Sequence, residues 1–352
     1  MLDRAITSEY GFQIDLESCE NLMRDGSKSF FAAAKILPAK IRDSAIALYA
    51  FCRLLDDMVD DQHAPEDVIK QIEYRLDRIY AQNPADIPAD RALALVVSRF
   101  LIPREILEAL VEGFRWDRNG RQYQTIDELS DYAARVASTV GAMMTLIMGV
   151  RDRDILERAC ELGLAMQLTN IARDVGEDAR NQRLYLPREW LVAEGIDPDA
   201  WLEKPIFNDA ISRVIQRLIS HADEMYERAS YGIVGLPRNC RSAIAAAGLI
   251  YSEISRQIER QGLDSISHRA VVSKKKKILL LLKSLQSTIY SSKLNHSLTK
   301  IPSIQFLVNA VEPEAPYAHY TGSVEDRLIW VVGLMKKIER RKVQSFNSLA
   351  QH

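Results

Sequence analysis

From Ile41 to Val59 the apolar residues recur at alternating steps of four and three: Ile41, Ala45, Leu48, Cys52, Leu55 and Val59. This spacing follows the helical turn and predicts an amphipathic helix with one buried stripe. A second stripe, displaced by one residue, holds Tyr49, Arg53, Asp56 and Asp60, so these polar groups stack beside the apolar face. The segment LGLAMQLTNIARDVGED repeats the arrangement. There Leu164, Leu168, Ile171 and Val175 form the apolar stripe, and Gln167, Asn170, Asp174 and Asp178 the polar one. Each predicted helix thus carries an Asp-x-x-x-Asp pair on the border of its apolar face, one turn apart.

The rest of the chain reads the same way. No proline occurs from Arg104 to Leu186 or from Arg238 to Ile301, and stretches of that length rich in Leu, Ala, Ile and Arg predict successive helices. Sustained period-two alternation and hairpin dipeptides are absent, so the expected fold class is all-α, a single helical bundle. Loops are expected at Gln62–Glu66, Asn83–Asp90, Asn181–Pro187, Asp197–Pro205 and Gly235–Asn239. The expected organisation is a helical domain over 1–289, a Ser/Pro-rich connecting segment over 290–323 and a basic amphipathic helix with a tail over 324–352. In that last segment Ile329, Val332, Met335 and Ile338 share a face beside Lys336, Lys337, Arg340 and Arg341. The pattern suits docking on an anionic membrane surface, or equally packing on the core.

Composition narrows the function. With 46 Lys+Arg against 48 Asp+Glu, the net charge of −2 provides no global basic field, so nucleic acid is a poor partner. The 15 glycines fall below the usual ~7% and argue against a Gly-rich nucleotide-binding fold. Cys19, Cys52, Cys160 and Cys240 form no CxxC pair, which fits a reducing compartment. The N-terminal MLDRAITSEYGF lacks the apolar core of a secretory leader, and no run reaches the ~18 apolar residues of a membrane span. The expected location is cytoplasmic, with peripheral contact at a membrane surface.

The candidate chemistry lies in the carboxylates. Like charges one turn apart destabilise a helix by a few tenths of a kcal/mol. Four of them facing each other near a core would cost far more unless neutralised. Hard divalent cations are the natural remedy, because magnesium takes a few carboxylates and completes its shell with water and phosphate oxygens. A di-iron bundle would need Glu-x-x-His pairs, and the sequence has none. Arg53 and Arg173 adjoin the acids and can fork onto phosphate oxygens, while Arg183 and Tyr185 follow in the next loop. Upstream, Ser27, Lys28 and Ser29 precede Phe30 and Phe31, either an anion-binding helix start or an N-cap before core aromatics. Ala134, Ala137 or Ser138, and Gly141 share a face, which makes room for a long chain in a tunnel or allows close helix packing.

SKSF at 27–30, the stripe in YAFCRLLDDMVDD, and QLTNIARDVGED followed by RLYLP resemble the squalene/phytoene synthase family, and within it the bacterial phytoene synthases. The resemblance runs from about Ser27 to about Leu285. It implies an isoprenoid-synthase bundle around a central apolar cavity. It also implies head-to-head condensation of two geranylgeranyl diphosphates, through prephytoene diphosphate, to phytoene. By matching positions it implies that Asp56, Asp60, Asn170, Asp174 and Asp178 hold magnesium, or manganese in its place. Tyr49, Arg53, Gln167, Arg173, Tyr251 and Arg269 become substrate or diphosphate contacts, with Ser27, Lys28, Phe30, Arg183 and Tyr185 around them. The lysine run Lys274–Lys277 either closes over diphosphate or forms a solvated helix start.

Two positions depart from the family pattern. Many relatives carry a tyrosine near the reacting carbons where this chain has Ala134, and a glycine where it has Gln182, so the loop backbone there is expected to differ. A synthase using farnesyl diphosphate is the nearest rival. Squalene formation would need a nicotinamide cofactor, for which no dinucleotide fingerprint is visible. A non-catalytic scaffold is the other alternative, although such relatives lose metal ligands and both aspartate pairs stand here.

Overall fold

Proline opens helix after helix in the computed structural model, which describes residues 2–61, 63–287 and 298–313. Pro38, Pro103, Pro187 and Pro237 are N-cap residues, and Pro88 and Pro198 occupy the first turns of their helices. At these positions the missing N–H has no intrahelical partner to lose. The helices are α1 (Leu2–Gly26), α2 (Lys28–Ala34), α3 (Ala39–Asp60), α4 (Val68–Tyr80), α5 (Pro88–Phe100), α6 (Arg104–Arg118) and α7 (Ile126–Ala133). A π-helical turn, Ala134–Ser138, leads into α8 (Thr139–Ile147) and the long α9 (Arg153–Arg180). There follow α10 (Arg188–Ala193), α11 (Pro198–Glu203), α12 (Asp209–Ser230), α13 (Arg238–Arg260), α14 (Lys274–Ser287) and α15 (Gln305–Ala310). No strand occurs among the described residues, so the class is all-α as expected. Helix α11 falls inside the loop expected at Asp197–Pro205, where Pro198 and the Asp197 cap start a short turn of helix.

Helix α9 is the hub, packed against α8, α12 and α13. Its predicted stripe of Leu164, Leu168, Ile171 and Val175 is buried with Ile211, Val214, Ile215 and Leu218 of α12. In α3, Ala45, Leu48, Leu55 and Val59 of the predicted stripe are buried, while Ile41 and Cys52 are half-buried. Each large apolar side chain so buried contributes roughly 1.5–3 kcal/mol.

The small residues pack closely and also border a cavity. A Cβ on Gly141 would lie 2.3 Å from the carbonyl oxygen of Ala159, and one on Gly163 2.5 Å from that of Ala137. The π-turn and α8 therefore cross α9 in backbone contact, and Ser138 Oγ donates to Cys160 O at 2.6 Å. Ala137 and Gly141 also line an internal cavity. Ala134 is fully buried.

The described residues all belong to one compact unit, Met1–Ala315. Inside the expected connecting segment, α15 buries Leu307 and Val308 and packs on α9. The remainder of that segment and the expected helix over 324–352 lie outside the described residues. No helix among the described residues is long and apolar enough to cross a membrane.

Candidate active site

Helices α3 and α9 stand on two sides of a cleft with a volume of about 730 Å³. Arg53, Asp56 and Asp60 face it from α3, and Gln167, Asn170, Arg173 and Asp174 from α9. Ser27, Phe30, Tyr251 and Arg269 complete the wall. Behind the cleft lies an apolar cavity of about 300 Å³, lined by Leu48, Ala137, Val140, Met144 and Met166 among others. Phe30, Tyr49, Cys52, Val136, Gln167, Asn170 and Tyr251 border both spaces and form the neck between them. There the Phe30 ring lies 5.3 Å from that of Tyr251 and 6.1 Å from that of Tyr49, centre to centre. Ser27 caps α2 by accepting from Phe30 N at 3.3 Å, which favours the capping role for this hydroxyl. The Lys28 side chain lies outside the described residues.

The arginines hold the aspartates. Arg53 bonds Asp56 at 3.0 Å and also pairs with Asp57. Asp174 is gripped by Arg173, with Nε 2.8 Å away, and by Arg269, whose Nε is also at 2.8 Å. Arg269 gets there because Gly176 lets the 265–269 loop lie against α9. Gly176 N donates to Ser265 O at 3.0 Å, and a Cβ would sit 2.3 Å from Ile266 O.

The end of α9 sets the next contact. Gln182 takes a left-handed φ of 58°, and Arg183 N donates back to Asp178 O at 2.9 Å. A left-handed φ is one that a glycine adopts without strain and that a glutamine adopts at a cost. The turn aims Arg183 across the cleft, where Nη2 reaches Asp60 Oδ1 at 2.8 Å.

A fifth carboxylate was not foreseen. Asp117, in the last turn of α6, accepts from Tyr132 Oη and Tyr185 Oη, each at 2.7 Å. Its partners stand far off in sequence and no local spacing marks it. Tyr132 lines the cleft two residues before the buried Ala134, so the cleft keeps a tyrosine despite that departure. Lys277 of the lysine run also lines the cleft.

The acids crowd one another. Burial and the Asp60 charge push the Asp56 carboxyl up to about 6. Burial and the Asp174 charge push Asp178 to about 7. Burial likewise raises Asp117, although its two tyrosine bonds oppose the shift. Asp174 is the exception: burial would raise it, but Arg173 and Arg269 hold it below its ordinary value. Burial also lifts the Tyr251 hydroxyl to about 12, so it stays protonated.

Among the described residues no three carboxylate, histidine or cysteine side chains converge closely enough to share a metal ion. The donor set nonetheless fits one. Its oxygens are hard, two of its carboxyls are raised by burial and by like charge, and the buried Oδ1 of Asn170 has no hydrogen-bond partner. Asn170 Nδ2 meanwhile donates to Gln167 Oε1 at 3.4 Å. A divalent cation would take up both the excess charge and the orphaned oxygen once side chains turn from their arginines.

Residues 23–276 match the family profile described as squalene/phytoene synthase. The chain is 47% identical over 318 residues to a phytoene synthase of Rhodobacter capsulatus, covering 90% of this chain and 91% of that one. It is 39% identical to a 15-cis-phytoene synthase of Pantoea ananas, over 74% of this chain and 87% of the relative. Among solved structures it is similar to a ligand-bound dehydrosqualene synthase, with a TM-score of 0.74 at 30% identity. That match covers 81% of this chain and all of the other.

Proposed function

The chain belongs to the squalene/phytoene synthase family, and on that premise we propose that it is a prenyltransferase condensing two geranylgeranyl diphosphates head-to-head to phytoene. The observation that carries the reading is the pairing of two aspartate-bearing helices across a cleft that opens into an apolar cavity. Diphosphate belongs with the arginines and acids, and the prenyl chains with the apolar lining.

Asp56, Asp60, Asn170, Asp174 and Asp178 would hold magnesium, or manganese in its place, which would supply positive charge favouring departure of diphosphate. Arg53, Arg173 and Arg269 face the same space and meet the charge that develops on the leaving oxygen. As the C1–O bond of the first substrate breaks, the electron pair leaves with diphosphate and an allylic cation remains. Phe30, Tyr49 and Tyr251 at the neck set aromatic faces beside it. The apolar lining excludes water, so the double bond of the second substrate attacks instead. Loss of a proton closes the cyclopropane ring of prephytoene diphosphate. Breakage of the second C–O bond, rearrangement and loss of another proton then give phytoene, with no reductant consumed.

Small residues line the cavity wall, among them Ala33, Ala34, Ala137, Gly141, Ala159 and Ala247, and this favours the longer, twenty-carbon chain. The test is product analysis of purified protein with magnesium and no reductant, offered geranylgeranyl and farnesyl diphosphate in parallel. A forty-carbon hydrocarbon from the first is expected. A thirty-carbon product from the second alone would keep the site and overturn the substrate. No product from either would favour the non-catalytic scaffold.

A further inference from the structure

Helix α14 follows the cleft wall and has two unlike faces. Leu280 and Ser284 are buried toward α13, and Lys277, with Val271 and Val272 just before the helix, lines the cleft. The opposite face is apolar and open: Ile278, Leu279 and Leu282 are each 58% exposed and Leu285 49%, while Val271, before the helix at the cleft, is 70% exposed. The other large exposed apolar side chains among the described residues are scattered singly: Ile14, Tyr74, Leu101, Val192, Ile206 and Phe306. A contiguous apolar strip of this kind marks a contact surface rather than ordinary exposure.

The charges around the strip identify its partner. Lys274, Lys275 and Lys283 are exposed along the same helix, and Lys276 reaches Glu253 at 3.3 Å. A second copy of the chain seated on this face would set lysines against lysines. The chain's own segment at 324–352 carries Lys336, Lys337, Arg340 and Arg341, again of the same sign. A lysine-flanked strip of leucines instead matches a bilayer surface with anionic headgroups, where the leucines enter the acyl boundary and the ammonium groups meet the phosphates.

We propose that the exposed face of α14 seats the protein on an anionic lipid bilayer, with the mouth of the cleft at the bilayer surface. The inference rests on the proposed function for one point only, that substrate and product are lipids which would pass along this rim.

The test is flotation of the full-length chain with vesicles of phosphatidylcholine alone or with added phosphatidylglycerol, at low and high salt. The Leu279→Ser/Leu282→Ser variant is run alongside, its folding checked by thermal melting. Wild type is expected to float with the anionic vesicles, less so at high salt. The variant should float at least about fivefold less while still turning over detergent-dispersed substrate. Equal flotation of both proteins would overturn the proposal and assign binding elsewhere. Absence of wild-type flotation would overturn it as well, as would a wild-type dimer in sedimentation that the variant loses. Flotation that behaves as expected from a protein inactive on every prenyl diphosphate would keep the surface and sink the proposed function.

Discussion

Arg183 Nη2 lies 2.8 Å from Asp60 Oδ1 and joins the loop after α9 to the last residue of α3. The two acidic helices have little other direct contact, so this pair spans the cleft at its polar end. It also occupies an oxygen that the metal would need.

Arg183→Ala should therefore separate two properties. With the guanidinium gone, the acids are more negative and bind magnesium more tightly in the absence of substrate. Turnover should fall by about tenfold or more, because a cation near the leaving group is lost. Magnesium titration by thermal shift, alongside steady-state kinetics, reads both. Equal losses of metal binding and turnover would mean that the arginine only holds the fold.

Asp174→Ala should abolish magnesium-dependent thermal stabilisation by a non-hydrolysable prenyl thiodiphosphate. Catalysis should fall by roughly a hundredfold or more, as for loss of other preorganised charge-stabilising groups. A stabilisation as large as in wild type would move weight to a scaffold that binds prenyl chains without metal.

The metal-free protein should gain stability as pH falls from 8 towards 6. Asp178 has a folded value of about 7 against 3.8 ordinarily, so between these values the folded state holds a proton that the unfolded state has released. Stability is thus favoured at the acid end of that window and lost as pH rises through it. Magnesium requires the ionised form, so the shift it induces should grow from pH 6 to pH 8. Asp178→Asn should flatten the metal-free profile, which melting curves across this range would show.

Ala137→Phe should fill part of the cavity and turn preference from twenty- to fifteen-carbon diphosphates, read as a ratio of kcat/KM values. Gly163→Ala is the contrasting change. Gly163 also borders the cavity, but its Cβ would meet the Ala137 and Ser138 backbone, and the change should destabilise by about 1–3 kcal/mol or more without altering preference. An unchanged product spectrum in Ala137→Phe would end the chain-length argument.

Gln182→Gly should stabilise by roughly 1 kcal/mol in urea unfolding. Relief of the left-handed φ of 58° outweighs the added freedom of the unfolded chain. Loss of stability would mean that the Gln182 side chain makes up for the strain.

What was legible in the sequence was whatever repeats along one helix. The stripes of α3 and α9 gave the acid pairs, their neighbouring arginines and the all-α class, because periodicity is a local property. Asp117 was not legible: its partners Tyr132 and Tyr185 come from α7 and from the loop after α9, and only the fold brings them together. The same holds for the Arg183–Asp60 bond. Gln182 shows a different limit, since nothing in a glutamine's own preferences announces the left-handed φ of 58° that the turn imposes on it. The small-residue face could not be resolved into cavity lining or packing, because the same residues do both. Gly141 meets Ala159 on one side and the cavity on the other.

The arginine-clasped aspartates turn loading of the site into an ion exchange. Each guanidinium on Asp56, Asp60 or Asp174 is a resident counter-ion that a divalent cation binding there would have to displace, and once displaced it would be free for an anion. Metal and diphosphate would consequently raise each other's affinity, and by the same factor, as linkage requires. An encounter with either one alone leaves the charges internally neutralised and the site at rest.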